Sequence, residues 1–268
     1  FFACMPSKAL LRPLEVIDAA QHLGGVSGAH LDVAGLLRRR DEWVSHYDDA
    51  SQVVWATGAG LDVVRGHGQI TGDREVTVSD GDGEIVLQAR HTVVLATGGE
   101  PVVPDVYAGC SPWGSRDATG VVEIPDRIVV IGGGVVACEA AVWLSALGST
   151  VTMVVRDSRL LARVEPFASQ LVHDGLRARG VDIRLGASVT DCSRESPSDT
   201  GLGRIHGGPV TVTFDGGEVV ADEILVLGIY PAREDPLPGI TGRLVADAAA
   251  HAAPGRVHYV ETLAEAAP

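Results

Sequence analysis

Arg127-Ile128-Val129-Val130-Ile131 runs directly into three glycines, Gly132-Gly133-Gly134, and then into Val135-Val136-Ala137. A short apolar run ending in glycine predicts a buried strand, and the glycines turn it into a helix with Val136, Ala140, Leu144 and Leu147 on one face. Residues 150–155 predict the next strand. Residues 166–179 predict a helix with Pro166 in its first turn, pairing Phe167 with Leu171 and Val172 with Leu176. Residues 181–185 predict a third strand. This β-α-β-α-β order has few solutions: a parallel sheet with crossover helices, one mononucleotide-binding half of a doubly wound α/β fold.

The glycine turn is the first candidate site. Gly132 permits a tight turn, Gly134 lets backbone approach a pyrophosphate, and Ala137 at the third position allows close helix–strand packing. Gly133 and Val136 complete the stretch. The bland alternative is a glycine-rich turn without a ligand. About twenty residues on, an NAD site would carry Asp or Glu for the ribose hydroxyls. Here the strand ends in Arg156, followed by Arg159 and Arg163. Guanidinium groups there suit a 2′-phosphate, so NADP is expected and NAD stays possible; ordinary surface charge is the alternative.

Composition narrows the class. The 268 residues are 46% hydrophobic with 33 glycines, enough for one large or two ordinary domains. A net charge of −14 argues against nucleic acid or an anionic membrane as a partner. No apolar run approaches the ~20 residues of a membrane span. Cys4, Cys110, Cys138 and Cys192 lack metal-ligand spacing and read as a reduced, cytoplasmic set, with no metal expected. Cys138 reads as a small apolar filler, and Cys110 and Cys192 as incidental.

The chain opens with Cys4-Met5-Pro6-Ser7-Lys8-Ala9-Leu10-Leu11. Cysteine followed by proline and an apolar run predicts a helix with the sulfur at its N-terminal end, where unpaired N–H groups favour thiolate. Lys8 is the only lysine among 21 Lys and Arg residues. The placement points to a compact ammonium group one turn after the sulfur.

This segment closely resembles the second half of the redox motif of the flavin-dependent pyridine nucleotide-disulfide oxidoreductases, which include glutathione reductase, dihydrolipoamide dehydrogenase and mercuric reductase. The resemblance covers residues 1 to about 231. It implies that Cys4 is the redox cysteine nearer the flavin, its partner falling two positions ahead of Phe1. It implies an ion pair between Lys8 and Glu139 beside the reacting rings, making Cys4, Lys8 and Glu139 the catalytic set. Arg65-Gly66-His67-Gly68 looks like the segment that meets the adenine of FAD, which assigns His67 and Gly68 to that cofactor. Ala96, Thr97 and Gly98 look like the strand end where the flavin-domain segment crosses between domains, which assigns them to cofactor binding as well. Gly228 is expected among the cofactor-binding residues too, although it lies in a departure from the family's Gly-Arg-x-Pro. The implied architecture is α/β: a partial FAD-binding domain over 1–123, a Rossmann-like NAD(P)-binding domain with a parallel sheet over 124–231, and an irregular tail over 232–268. The implied function is FAD-dependent transfer from NADPH to a disulfide or other small-molecule substrate in a homodimeric parent. The chain itself reads as an inactive fragment lacking N- and C-terminal parts. A non-catalytic NADP-binding or thiol redox-sensing module, and a flavoprotein oxidase or quinone reductase, stand as alternatives.

Between these motifs the pattern predicts a helix over residues 4–22 kinked at Pro13, and a second helix from an Asp32 cap to about Gly58. A strand at 62–65, a hairpin over 75–87 and an apolar strand at 92–96 follow. Residues 102–126, rich in Pro, Gly and Ser, read as a linker. Residues 194–209 read as an exposed loop, 209–221 as a hairpin, and 224–228 as a closing strand.

Overall fold

The computed structural model describes residues 2, 4–98 and 101–227, all within one compact unit. Gly228 and the tail over 232–268 lie outside the described residues.

The centre of the fold is a four-stranded parallel sheet. Its strands are β4 (Arg127–Ile131), β5 (Thr150–Val155), β6 (Asp182–Leu185) and β10 (Glu223–Val226), in the order β10-β4-β5-β6. After β6 the chain returns to the far side of β4, so β4 marks the point where strand order reverses. Helix α6 (Val135–Leu147) joins β4 to β5, and α7 (Pro166–Ala178) joins β5 to β6. Val172 and Leu176 of α7 pack inward, whereas Phe167 and Leu171 lie exposed.

Side chains on the sheet alternate between two cores, as the period of two requires. Ile128, Val130, Val151, Met153, Val155 and Leu225 face a helical layer that includes α6. Val129, Val154, Ile224 and Val226 face the opposite way, toward an antiparallel sheet. That sheet is β7 (Val189–Arg194), β8 (Val210–Phe214) and β9 (Gly217–Ala221), in this order. The hairpin β8–β9 was predictable; β7 was not, because Val189-Thr190-Asp191-Cys192-Ser193-Arg194 carries little apolar signal.

Helix α1 (Cys4–Gln21) contains Pro13 and buries Pro6, Ala9, Leu10 and Leu14. Leu10 and Leu14 join the core of α6. The expected single helix from Asp32 is interrupted. It comprises α2 (Val33–Trp43), capped by the Asp32 carboxylate accepting from the Gly35 N–H at 2.9 Å, and α3 (Ala50–Gly58). Ser45, His46 and Tyr47 between them take positive φ, which no continuous helix accommodates.

Four further expectations are corrected. The strand predicted at 62–65 is irregular, and β1 (His67–Gly72) pairs instead with β2 (Glu75–Ser79), which in turn pairs with β3 (Glu84–Gln88). The apolar strand predicted at 92–96 does not form, and Val94 is 80% exposed. An all-apolar strand is stable when both faces are covered, and no described strand pairs with it.

The predicted linker over 102–126 is packed structure. It holds α4 (Asp105–Ala108) and α5 (Ser115–Thr119), and buries Tyr107, Cys110, Trp113, Ala118 and Val121. Trp113 bonds β10 through its backbone, and its indole N–H donates to the Arg204 carbonyl at 2.7 Å. Arg40, almost fully buried, donates to the carbonyls of Thr119 at 2.6 Å and Val121 at 2.9 Å, tying α2 to the same segment. Composition suggested a tether; one tryptophan and one buried arginine make it part of the core. The loop over 194–209 is likewise only partly exposed, with His206 buried.

Candidate functional site: a glycine turn and an exposed thiol helix

The turn from β4 into α6 has the geometry its sequence implies, with one addition. Gly132 has φ +116°, in the region that disfavours side chains. Gly134 caps α6, and a Cβ there would meet no heavy atom within 4 Å. That open space sits at a helix N-terminus, where free N–H groups and the helix dipole favour an anion. Ala137 is buried against the sheet. The addition is Gly133: a Cβ there would lie 2.6 Å from Val155 Cγ1 and 3.3 Å from Leu160 Cδ2. The Gly133 carbonyl also accepts from the Leu161 N–H at 2.7 Å. The fingerprint treats this position as free, but here the loop after β5 presses on it.

The turn lies at the carboxyl end of β4, at the reversal of strand order, where ligands of open α/β sheets bind. Its residues therefore fit a dinucleotide pyrophosphate. Val136 is exposed beside it. Arg156 follows the end of β5 and is exposed; the Arg159 guanidinium donates to the Ala162 carbonyl.

Cys4 is exposed at the start of α1, and Lys8 is exposed one turn later. The two share a stripe roughly opposite Pro6, Ala9, Leu10 and Leu14. At ~100° per residue, Lys8 lies about 200° around the helix from both Pro6 and Leu10. The packing that seats α1 beside α6 therefore turns Lys8 away from it. The expected Lys8–Glu139 ion pair is not formed: among the described residues Lys8 has no carboxylate partner, and Glu139 is half-buried on α6. The negative charge of Glu139 falls instead on its neighbour. Burial first, and that charge second, push the Cys138 thiol up to about 11.

The residues expected to meet FAD are spread out. His67 and Gly68 open β1, and Ala96, Thr97 and Gly98 are irregular; all five are exposed. Among the described residues 4–98 no strand leads through glycines into a helix, so these residues supply only part of a flavin site.

A second pair of sulfurs meets where nothing in the sequence pattern points to it. Cys110 and Cys192, 82 residues apart, approach to 2.7 Å. No spacing rule connects residues so distant, and only the packing of α4 on β7 reveals them. Among the described residues no group of three or more His, Cys, Asp or Glu could hold a metal ion, and no helix is long and apolar enough to cross a membrane.

The chain is similar to known proteins over most of its length. The chain is 31% identical over 196 residues to a dihydrolipoyl dehydrogenase of Chlamydia trachomatis, a match covering 70% of this chain and 42% of that protein. It is 34% identical over 197 residues to a glutathione reductase of Burkholderia cepacia, covering 72% and 42%. The HOCl-induced flavoprotein disulfide reductase RclA of Escherichia coli superposes with a TM-score of 0.64 at 23% identity, over 84% of this chain and 46% of that one. The chain thus spans about two fifths of the length of the curated relatives it matches. The family model for pyridine nucleotide-disulphide oxidoreductases matches residues 1–233, and the chain belongs to that family.

Proposed function

We propose that this chain is the thiol-bearing and nucleotide-binding portion of an FAD-dependent, NADPH-using disulfide oxidoreductase. The observation that supports it most is the 132–137 turn: a positive-φ glycine, a glycine with no room for Cβ and an open glycine at a helix N-terminus, all at the sheet's reversal point. Family members work with FAD and NAD(P)H. When bound, those cofactors supply the two-electron chemistry. The residues of this chain bind and orient. The N–H groups at the start of α6 hold a pyrophosphate, and Arg156, with Arg159, meets a 2′-phosphate. His67, Gly68, Ala96, Thr97 and Gly98 contribute part of the flavin contact. Cys4 is the redox sulfur, and Lys8 places positive charge on the same stripe. Glu139, the third residue expected there, sits on the neighbouring helix without that pairing.

Residues 1–123 then belong to the flavin domain and 124–231, including Gly228, to the nucleotide domain. The whole protein is a cytoplasmic homodimer that reduces a disulfide or related small molecule.

The test is NADPH-dependent reduction of a small-molecule disulfide by the complete gene product, with and without Cys4→Ser. The expected result is a yellow protein whose disulfide reduction is abolished by Cys4→Ser while NADPH binding persists. Arg156→Ala should weaken NADPH about tenfold or more and leave NADH nearly unchanged. Full turnover in Cys4→Ser would assign an oxidase or quinone reductase instead. A colourless protein that is only modified at Cys4 would assign a redox sensor.

A further inference from the structure

Two sulfurs that this reading leaves unused lie in contact. Cys110 follows α4, its N–H donating to the Tyr107 carbonyl at 2.9 Å, and it is fully buried. Cys192 sits in the middle of β7, opposite Val212 of β8, and is partly exposed. Both belong to the apolar layer between the parallel and antiparallel sheets. Their Sγ atoms are 2.7 Å apart, about 0.7 Å beyond the ~2.05 Å of a disulfide bond, so little movement separates the dithiol from the bonded pair.

We propose that Cys110 and Cys192 are a second redox site, separate from Cys4, which a small-molecule disulfide oxidises to an intramolecular disulfide.

The steps balance. The partly exposed Cys192 attacks oxidised glutathione as thiolate, forming a mixed disulfide and releasing one glutathione thiolate. Cys110 then attacks the Cys192 sulfur, the protein disulfide forms, and the second glutathione leaves. Two protein thiols lose two electrons, one small-molecule disulfide gains them, and the two protons end on two glutathione thiols. The order follows from access: an oxidant reaches Cys192, and only Cys192 reaches Cys110.

Burial first, then the hydrogen bond and charge of Cys110, push the Cys192 thiol up. Burial first, and then the charge of Cys192, push the Tyr107 hydroxyl beside it to about 12. Exchange is therefore slow at neutral pH and quickens roughly tenfold per pH unit while the thiol stays mostly protonated. The bond closes a loop containing β4, α6, β5, α7 and β6, joining the segment before the parallel sheet to the strand after its third member.

The test uses the reduced 268-residue chain, incubated under native conditions with excess oxidised glutathione at pH 8.5, quenched in acid and alkylated. The expected result is a Cys110–Cys192 linked peptide about 2 Da lighter than its two reduced parts and joint loss of both residues from alkylation, with glutathione added only at the exposed Cys4. Cys4→Ser should leave the link intact, and Cys110→Ser should stop the reaction at a glutathione adduct on Cys192. A stable glutathione adduct on Cys192 in the native chain, with Cys110 still alkylatable, overturns the proposal. So does a link that forms only in denaturant. Because the first arm needs no substitution, misfolding of a variant cannot mask the answer.

Discussion

Arg194 at the end of β7 and Glu223 at the start of β10 form an ion pair with both side chains wholly out of water. The Glu223 carboxylate also accepts from the N–H groups of His206 at 2.8 Å and Ile224 at 2.9 Å, and Arg194 donates to the His206 carbonyl at 2.8 Å. The pair joins the antiparallel layer to the strand that completes the parallel sheet. A buried charge is tolerable only while its partner remains.

Removing one member should therefore cost more than removing both charges. Arg194→Met is expected to destabilise the chain by about 3–5 kcal/mol, because it strands the carboxylate. Adding Glu223→Gln keeps an acceptor for the two N–H groups and should recover part of that loss. Urea denaturation of the two variants checks the order; equal losses would mean the charge itself is unimportant.

The three glycines of the turn should separate on substitution by alanine. Gly133→Ala drives Cβ into the buried, β-branched Val155 and should cost about 1–3 kcal/mol. Gly132→Ala should cost about 1–2 kcal/mol through its positive φ. Gly134→Ala meets open space and should cost under about 1 kcal/mol, mostly as a poorer helix cap, yet weaken nucleotide binding. Thermal melts paired with NADPH titration read the two effects apart.

Thiol accessibility gives a kinetic prediction. In the reduced native chain at pH 8, iodoacetamide should label exposed Cys4 first, while Cys138, buried and raised to about 11, stays unmodified until the chain unfolds. Timed mass spectrometry follows this, and Cys4→Ser should remove the fast phase.

Acid should act partly through Asp222. Its carboxylate accepts from the Arg127 guanidinium at 2.6 Å and the Arg127 N–H at 2.9 Å, and the guanidinium bond first of all holds its pKa below the usual carboxylate value. With the folded pKa depressed, the unfolded state binds more protons between the two values. The contribution is complete above the ordinary value of about 3.9 and is lost as pH falls through the folded one. Asp222→Asn should flatten the decline in stability below about pH 4, read as urea midpoints across that range. An unchanged slope would show that the pair contributes nothing.

The parallel core was legible from sequence because its evidence is local. Apolar runs of five, glycines at a strand end and a proline in a helix's first turn each act within a few residues. Asp32 was readable as a cap for the same reason. Lys8 shows the limit. The family resemblance implied Glu139 as its acidic partner, whereas α1 packs through Pro6, Ala9, Leu10 and Leu14 and carries Lys8 on the opposite side.

The sequence by itself determined the β4-α6-β5-α7-β6 order of the parallel core, the glycine turn after β4 and the helix that presents Cys4, since backbone geometry and hydrophobic period settle these at short range. Only the tertiary structure decided that residues 102–126 are core, that Gly133 is closed by Val155, that Arg194 meets Glu223 and that Cys110 meets Cys192. Each of these depends on surfaces brought together across tens of residues, where burial of a side chain depends on what covers it.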